Sequence, residues 1–183
     1  MTQKKYGVII ADPPWAFRNS GITGAAQNHY PTMSTDEICR MPIEGLAATE
    51  SLLLMWTTWA TMPDALSIIS KWGFEYKTGF PWLKVQGEPQ RNLWGEFEYR
   101  PVYGMGWWIR GCSEPILIAT RGELAPPTDY FLGILSRRFR HSRKPENIYQ
   151  YAEIFPGPYL ELFARRTRLG WDVWGNEVEG VAL

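Results

Sequence analysis

The strongest constraint on this chain is a short apolar run that two prolines cut off. Tyr6-Gly7-Val8-Ile9-Ile10 is rich in β-branched residues and reads as a buried strand. It leads straight into Ala11-Asp12-Pro13-Pro14-Trp15. Each proline lacks an N–H, and Pro14 pushes Pro13 toward extended backbone, so the strand must stop there. A carboxylate and an indole are therefore set on a stiff turn at the carboxyl end of a strand. In an open α/β sheet that is the edge where ligands bind. Taken alone, the turn suits an ordinary strand end with Trp15 in the core equally well, and the rest of the chain has to decide.

From Ala16 to Pro31 the chain is polar, glycine-bearing and without periodicity, which predicts a long loop on the ligand edge. Ser34 or Thr35 caps a short helix with Asp36 and Glu37 in its first turn, ended by Pro42. Ser51–Thr57 is a second buried strand. Ala65, Leu66, Ile68, Ile69 and Trp72 fall at helical spacing and predict a helix over Met62–Gly73. Phe74–Val85 is a third strand region, broken by Gly79 and Pro81, and the alternation predicts a mainly parallel sheet. The segment 86–110 reads as irregular. It mixes Arg91, Arg100 and Arg110 with Trp94, Tyr99, Tyr103, Trp107 and Trp108, which suits either a cover on the sheet or a lid that engages nucleic acid. Glu114–Thr120 is another strand. The basic run Arg137–Lys144 leads to Pro145, in the first turn of a helix expected to reach about Phe155, where anions such as phosphate or carboxylate are favoured. Tyr159–Arg165 is a strand carrying Glu161 inside an apolar run, and Gly170–Glu177 is a last strand and turn. No repeat or linker divides the chain, so 1–183 is expected to form a single domain.

Composition narrows the function classes. Hydrophobic residues make up 45% and charged residues 21%, the balance of a globular chain. Ten tryptophans among 183 residues offer flat surfaces for core packing or for stacking on bases. The net charge is zero, so attraction to nucleic acid must come from a local patch. Cys39, Cys112, His29 and His141 stand apart at no metal-ligand spacing, and no metal is expected. The absence of a signal-peptide pattern and of a long apolar run predicts a cytoplasmic protein with no membrane partner. No G-x-G-x-x-G follows a strand, which argues against dinucleotide chemistry.

Five ordered segments now bear on the turn: Asp12-Pro13-Pro14-Trp15, Tyr30-Pro31-Thr32-Met33-Ser34, His141-Ser142-Arg143-Lys144-Pro145-Glu146, Leu160-Glu161-Leu162-Phe163-Ala164-Arg165 and Trp174-Gly175-Asn176-Glu177. Together they resemble the adenine N6-methyltransferases of the family named for the seventy-kilodalton subunit of the mRNA adenosine methyltransferase. The resemblance implies a Rossmann-like fold for S-adenosylmethionine, with a permuted order that puts the catalytic motif ahead of the acidic cofactor strand. It also implies roles. Asp12, Pro13, Pro14 and Trp15 would be catalytic. Asp12, Lys144, Glu161, Phe163, Arg165, Asn176 and Glu177 would bind the cofactor, with Lys144 on its carboxylate and Glu161 on the ribose hydroxyls. Trp15, Tyr30 and Glu114 would shape the base pocket. The plainer readings are a buried, paired carboxylate for Glu161 and a surface charge for Arg165.

The chemistry follows from the residue types. The exocyclic amine of adenine is a weak nucleophile because its lone pair is delocalised into the ring. Acceptors aimed at its two N–H groups, the Asp12 carboxylate and the Pro13 carbonyl, localise that lone pair, and Trp15 can stack on the extruded base. Glu177 stands where the family commonly has an amide. The chain starts too late for the upstream strand of the eukaryotic relatives and lacks their accessory domains, which points to a minimal bacterial or phage-encoded enzyme acting on DNA. The alternatives are an RNA adenosine methyltransferase and a non-catalytic nucleic-acid-binding subunit. A homodimer or a partner subunit is compatible with either.

Overall fold

The computed structural model describes residues 4–16, 32–95, 97–104, 108–128, 131, 133–137 and 143–183. Among them the apolar run forms β1 (Tyr6–Ala11), flanked by the strands β2 (Ala47–Trp56) and β7 (Tyr159–Leu162). Both neighbours run parallel to β1, and β8 (Trp171–Trp174) continues the parallel set beyond β7. β1 and the second half of β2 are almost wholly buried, as expected where helices cover both faces.

The other half of the sheet departs from expectation. β5 (Ser113–Arg121) runs antiparallel to β2, and β3 (Glu75–Arg91) runs antiparallel to β5. With β4 (Phe97–Pro101) at one edge, the full order is β4-β3-β5-β2-β1-β7-β8, with β6 (Ile134–Arg137) paired in parallel to β3. The sheet is thus mixed, and the expectation of a mainly parallel one is corrected. Helical spacing between strands predicts a crossover only where a helix joins them; the described residues between β3 and β5 contain no helix. Nor is that segment wholly irregular: β3 extends to Arg91 and β4 (Phe97–Pro101) folds back on it as an antiparallel partner.

Two apolar layers hold the sheet. On one face Ile9, Ala11, Leu53, Met55 and Leu162 meet α1 (Thr35–Cys39), α2 (Ile43–Leu46) and α3 (Met62–Lys71). Ser34 caps α1 in a reciprocal capping box with Glu37, while Pro42 ends that turn and starts α2, a helix that the sequence reading did not foresee. On the other face Val8, Ile10, Leu52, Leu54 and Trp56 meet α4 (Asn147–Ala152). With β1 and its neighbours connected to opposite sides, the carboxyl ends of β1 and β7 form the crevice of a doubly wound sheet. No helix among the described residues is long and apolar enough to cross a membrane.

Candidate active site

Register decides which side chains reach this crevice. Ile10 pairs with Glu161 and Ala11 with Leu162, so Asp12, next after Ala11, belongs to the same face as Glu161. Trp56 follows Met55, which pairs with Ala11, and so lies on that face too. On β5 and β3, Glu114 is opposite Trp82, and Lys84 is two residues beyond Trp82. Four distant segments therefore bring Asp12, Glu161, Glu114 and Lys84 to one surface, and Lys144 closes the group from the chain before α4.

The charges alternate along this surface. Lys144 Nζ lies 2.9 Å from Asp12 Oδ1 and 3.3 Å from Glu114 Oε2. The other oxygen of Glu114 accepts a hydrogen bond from Lys84 Nζ. Each ammonium also rests on an indole, Lys144 at 5.1 Å from the Trp56 ring and Lys84 at 4.9 Å from that of Trp82. The two indoles meet edge to face at 5.8 Å. Burial alone would raise the Glu114 carboxyl, but Lys144 and Lys84 outweigh it and hold the group below its usual range. For Lys144 burial works downward, and Asp12 and Glu114 overcome it, so the ammonium is held charged.

Glu161 has a different setting. Its Oε2 accepts a hydrogen bond of 2.8 Å from the buried Tyr149 hydroxyl on α4. Burial, countered by Tyr149 and aided by the nearby Asp12 charge, raises its pKa. Behind it, Arg168 lies 4.1 Å over the Tyr149 ring and binds Glu146 and Glu153, and Arg166 also binds Glu146. Past β7 the chain turns at Phe163, which holds a left-handed backbone with φ of 61°, a conformation costly for a side chain other than glycine. Phe163 meets Trp174 edge to face at 5.4 Å, and Arg165 pairs with Glu177 at 3.7 Å. Asn176 is exposed on the same turn after β8. The donors and acceptors suit S-adenosylmethionine: a cation and an amide for its amino-acid end, and a carboxylate at a strand terminus for its ribose.

The turn itself holds surprises. Trp15 is only 7% exposed, packs in the layer with α1 and α3, and donates its indole N–H to the Trp56 carbonyl at 3.3 Å. An indole so placed anchors the turn and has no free face for a base in this conformation. The Pro13 carbonyl accepts the Trp15 amide at 2.9 Å; its second lone pair remains. Pro14 accepts the amide of Met33, which ties the turn to the chain that follows the long loop. Tyr30 and His141 lie outside the described residues. Sequence reasoning missed Lys84, Tyr149, Trp56 and Trp82, because only strand register and helix packing bring them to the crevice.

The model of the family described as MT-A70 matches residues 6–177. The chain belongs to the MT-A70 family. It is thereby an adenine N6-methyltransferase of a family that uses S-adenosylmethionine. Among its curated relatives is the type II methyltransferase M.MunI of a Mycoplasma species, 29% identical over 97% of this chain and 80% of that protein. The human N(6)-adenine-specific methyltransferase METTL4 is 31% identical over 96% of this chain but 38% of its own length. The Pyricularia oryzae N6-methyladenosine RNA methyltransferase MTA1 is 30% identical over 94% of this chain and 47% of its own. The chain thus spans most of the mycoplasmal relative and less than half of the other two.

Proposed function

We propose that this MT-A70 chain binds S-adenosylmethionine in the crevice between β1 and β7 and methylates the exocyclic amine of adenine in DNA. The observation that carries the reading is the shared face of Asp12, Glu161 and Lys144 at that crevice. Bound there, the cofactor supplies an electrophilic methyl on a sulfonium. Glu161, held by Tyr149, accepts the ribose hydroxyls. Lys144 pairs with the carboxylate, and Phe163, Arg165, Asn176 and Glu177 enclose the site. Asp12 accepts one N–H of the target amine and the Pro13 carbonyl the other. Asp12 would take the one proton that the amine loses on methylation.

Lys144 holds the Oδ1 oxygen of Asp12 in this structure, so the amine either uses the other oxygen or displaces that contact. Glu114 retains the ammonium when this happens, which keeps the cation in the crevice. A duplex substrate must extrude its adenine, at a cost of roughly a few kcal/mol. The match to a type II methyltransferase over most of its length favours DNA and a cytoplasmic, bacterial or phage setting. Relatives named for RNA keep adenosine in RNA as the second reading. The segment 86–110 is proposed as the substrate side of the site. Nucleoside mass spectrometry of a host expressing the chain tests this. N6-methyldeoxyadenosine should appear in DNA digests; a signal confined to RNA would reverse the assignment, and none in either would favour a non-catalytic subunit.

A further inference from the structure

With Trp15 buried, the crevice lacks the stacking surface that the turn was expected to provide. Another tryptophan stands at its rim. Trp59 lies in the loop directly after β2, three residues beyond Trp56, and is 56% exposed.

The loop that carries Trp59 is rigid. Thr57 and Thr61 are buried, and their hydroxyls lie 3.0 Å apart. Thr58 and Thr61 exchange bonds through both backbone and hydroxyl groups, at 3.1 Å and 3.2 Å. The Thr57 amide donates to the Pro115 carbonyl at 3.0 Å, fixing the loop to β5 beside Glu114. The indole N–H of Trp59 then donates to Ser113 Oγ at 3.1 Å, one residue from Glu114. Such a ring has its orientation set in advance and a face still available. It stands beyond the carboxyl end of β2, the strand next to β1, at the same edge of the sheet as Asp12. An indole without a free polar group recognises a flat π-surface, and every nucleobase provides one.

We infer that Trp59 is the stacking platform for a base of the substrate strand at the entrance to the Asp12 crevice. The inference rests on the nucleic-acid reading above and adds a substrate-binding residue to it. Ser113 is the positioning residue that holds the ring.

The test measures binding and methyl transfer separately. Anisotropy of a fluorescein-labelled, adenine-containing single-stranded oligodeoxynucleotide reads binding. Trp59→Ala should weaken it on the order of ten- to a hundredfold, the range for loss of one base–aromatic stack. Trp59→Phe keeps a ring and should stay within about threefold of the parent. Calorimetric affinity for S-adenosylmethionine should be the same in all three. Unchanged oligonucleotide binding by Trp59→Ala, or equal loss in Trp59→Phe, overturns the platform. Methyl transfer by the unaltered chain is scored independently: its failure would remove the proposed reaction while the binding comparison still decides the role of Trp59.

Discussion

The residue at the centre of the chemistry is Asp12, and its neighbours give it two opposing demands. It must accept an amine, and it already holds Lys144 at 2.9 Å. Asp12→Ala should reduce methyl transfer at least about a hundredfold, the scale for losing one preorganised transition-state contact. Its thermal unfolding should change little, because Lys144 keeps Glu114; single-turnover transfer beside a melting curve checks both. Glu161 supplies the pH dependence. It must be ionised to accept ribose hydroxyls, and burial raises its pKa, so cofactor affinity should fall as pH drops through that raised value. Tyr149 works in the opposite direction, lowering the pKa by donating to the carboxylate. Tyr149→Phe should therefore shift the midpoint of affinity loss to higher pH and weaken binding about tenfold, as for a hydrogen bond to a charged group. Calorimetric titrations across mildly acid to neutral pH would show it, and an unmoved midpoint would refute the positioning role.

At the scale of elements, the carboxyl ends of β7 and β8 are built as one unit. The Ala164 amide donates to the Trp174 carbonyl at 2.9 Å, which joins the two turns carrying Arg165, Asn176 and Glu177. Gly175 makes this approach feasible: a Cβ there would run into the Ala164 carbonyl oxygen and lie 2.7 Å from its nitrogen. Gly175→Ala should force the turns apart and weaken S-adenosylmethionine binding by tenfold or more, with a lower melting temperature; calorimetry and thermal unfolding test it. These elements were largely legible in the sequence. The apolar run of β1, the helical spacing of α3 and the carboxylate inside β7 each carry a local signature, and all three form. β4 and β6 carry none, since both are short strands defined by pairing with β3. Trp15 shows the same limit in a single residue: the sequence placed it beside Asp12, but not on which face of the sheet its ring would pack.

On the scale of the whole molecule, the two faces of the sheet have different tasks. The face under α1, α2 and α3 is a dry apolar layer containing Trp72, which is fully buried and donates its N–H to the Ile38 carbonyl at 2.9 Å. Trp72→Ala should cost about 3–5 kcal/mol, lowering the melting temperature by roughly 6–20 °C. At a temperature where the variant is folded, its KM for cofactor should equal the parent's, because the charged residues of the crevice are on the other face; calorimetric scanning and kinetics separate the two effects. That other face carries the ions and Trp56, Trp82 and Tyr149 over an apolar core of its own, while Trp15 and Phe163 pack with the α1–α3 layer. The sequence by itself determined the strand that ends in Asp12-Pro13-Pro14, the helices with strong periodicity, and the family, because these depend on residues close together in the chain. Only the tertiary structure decided that the sheet is mixed, that Lys144 bridges Asp12 and Glu114, that Tyr149 holds Glu161, and that Trp15 is buried while Trp59 faces the rim. Each of those depends on segments far apart in sequence being brought together, and for the strand-borne Glu114 and Glu161 a register shift of one residue would turn the carboxylate to the opposite face.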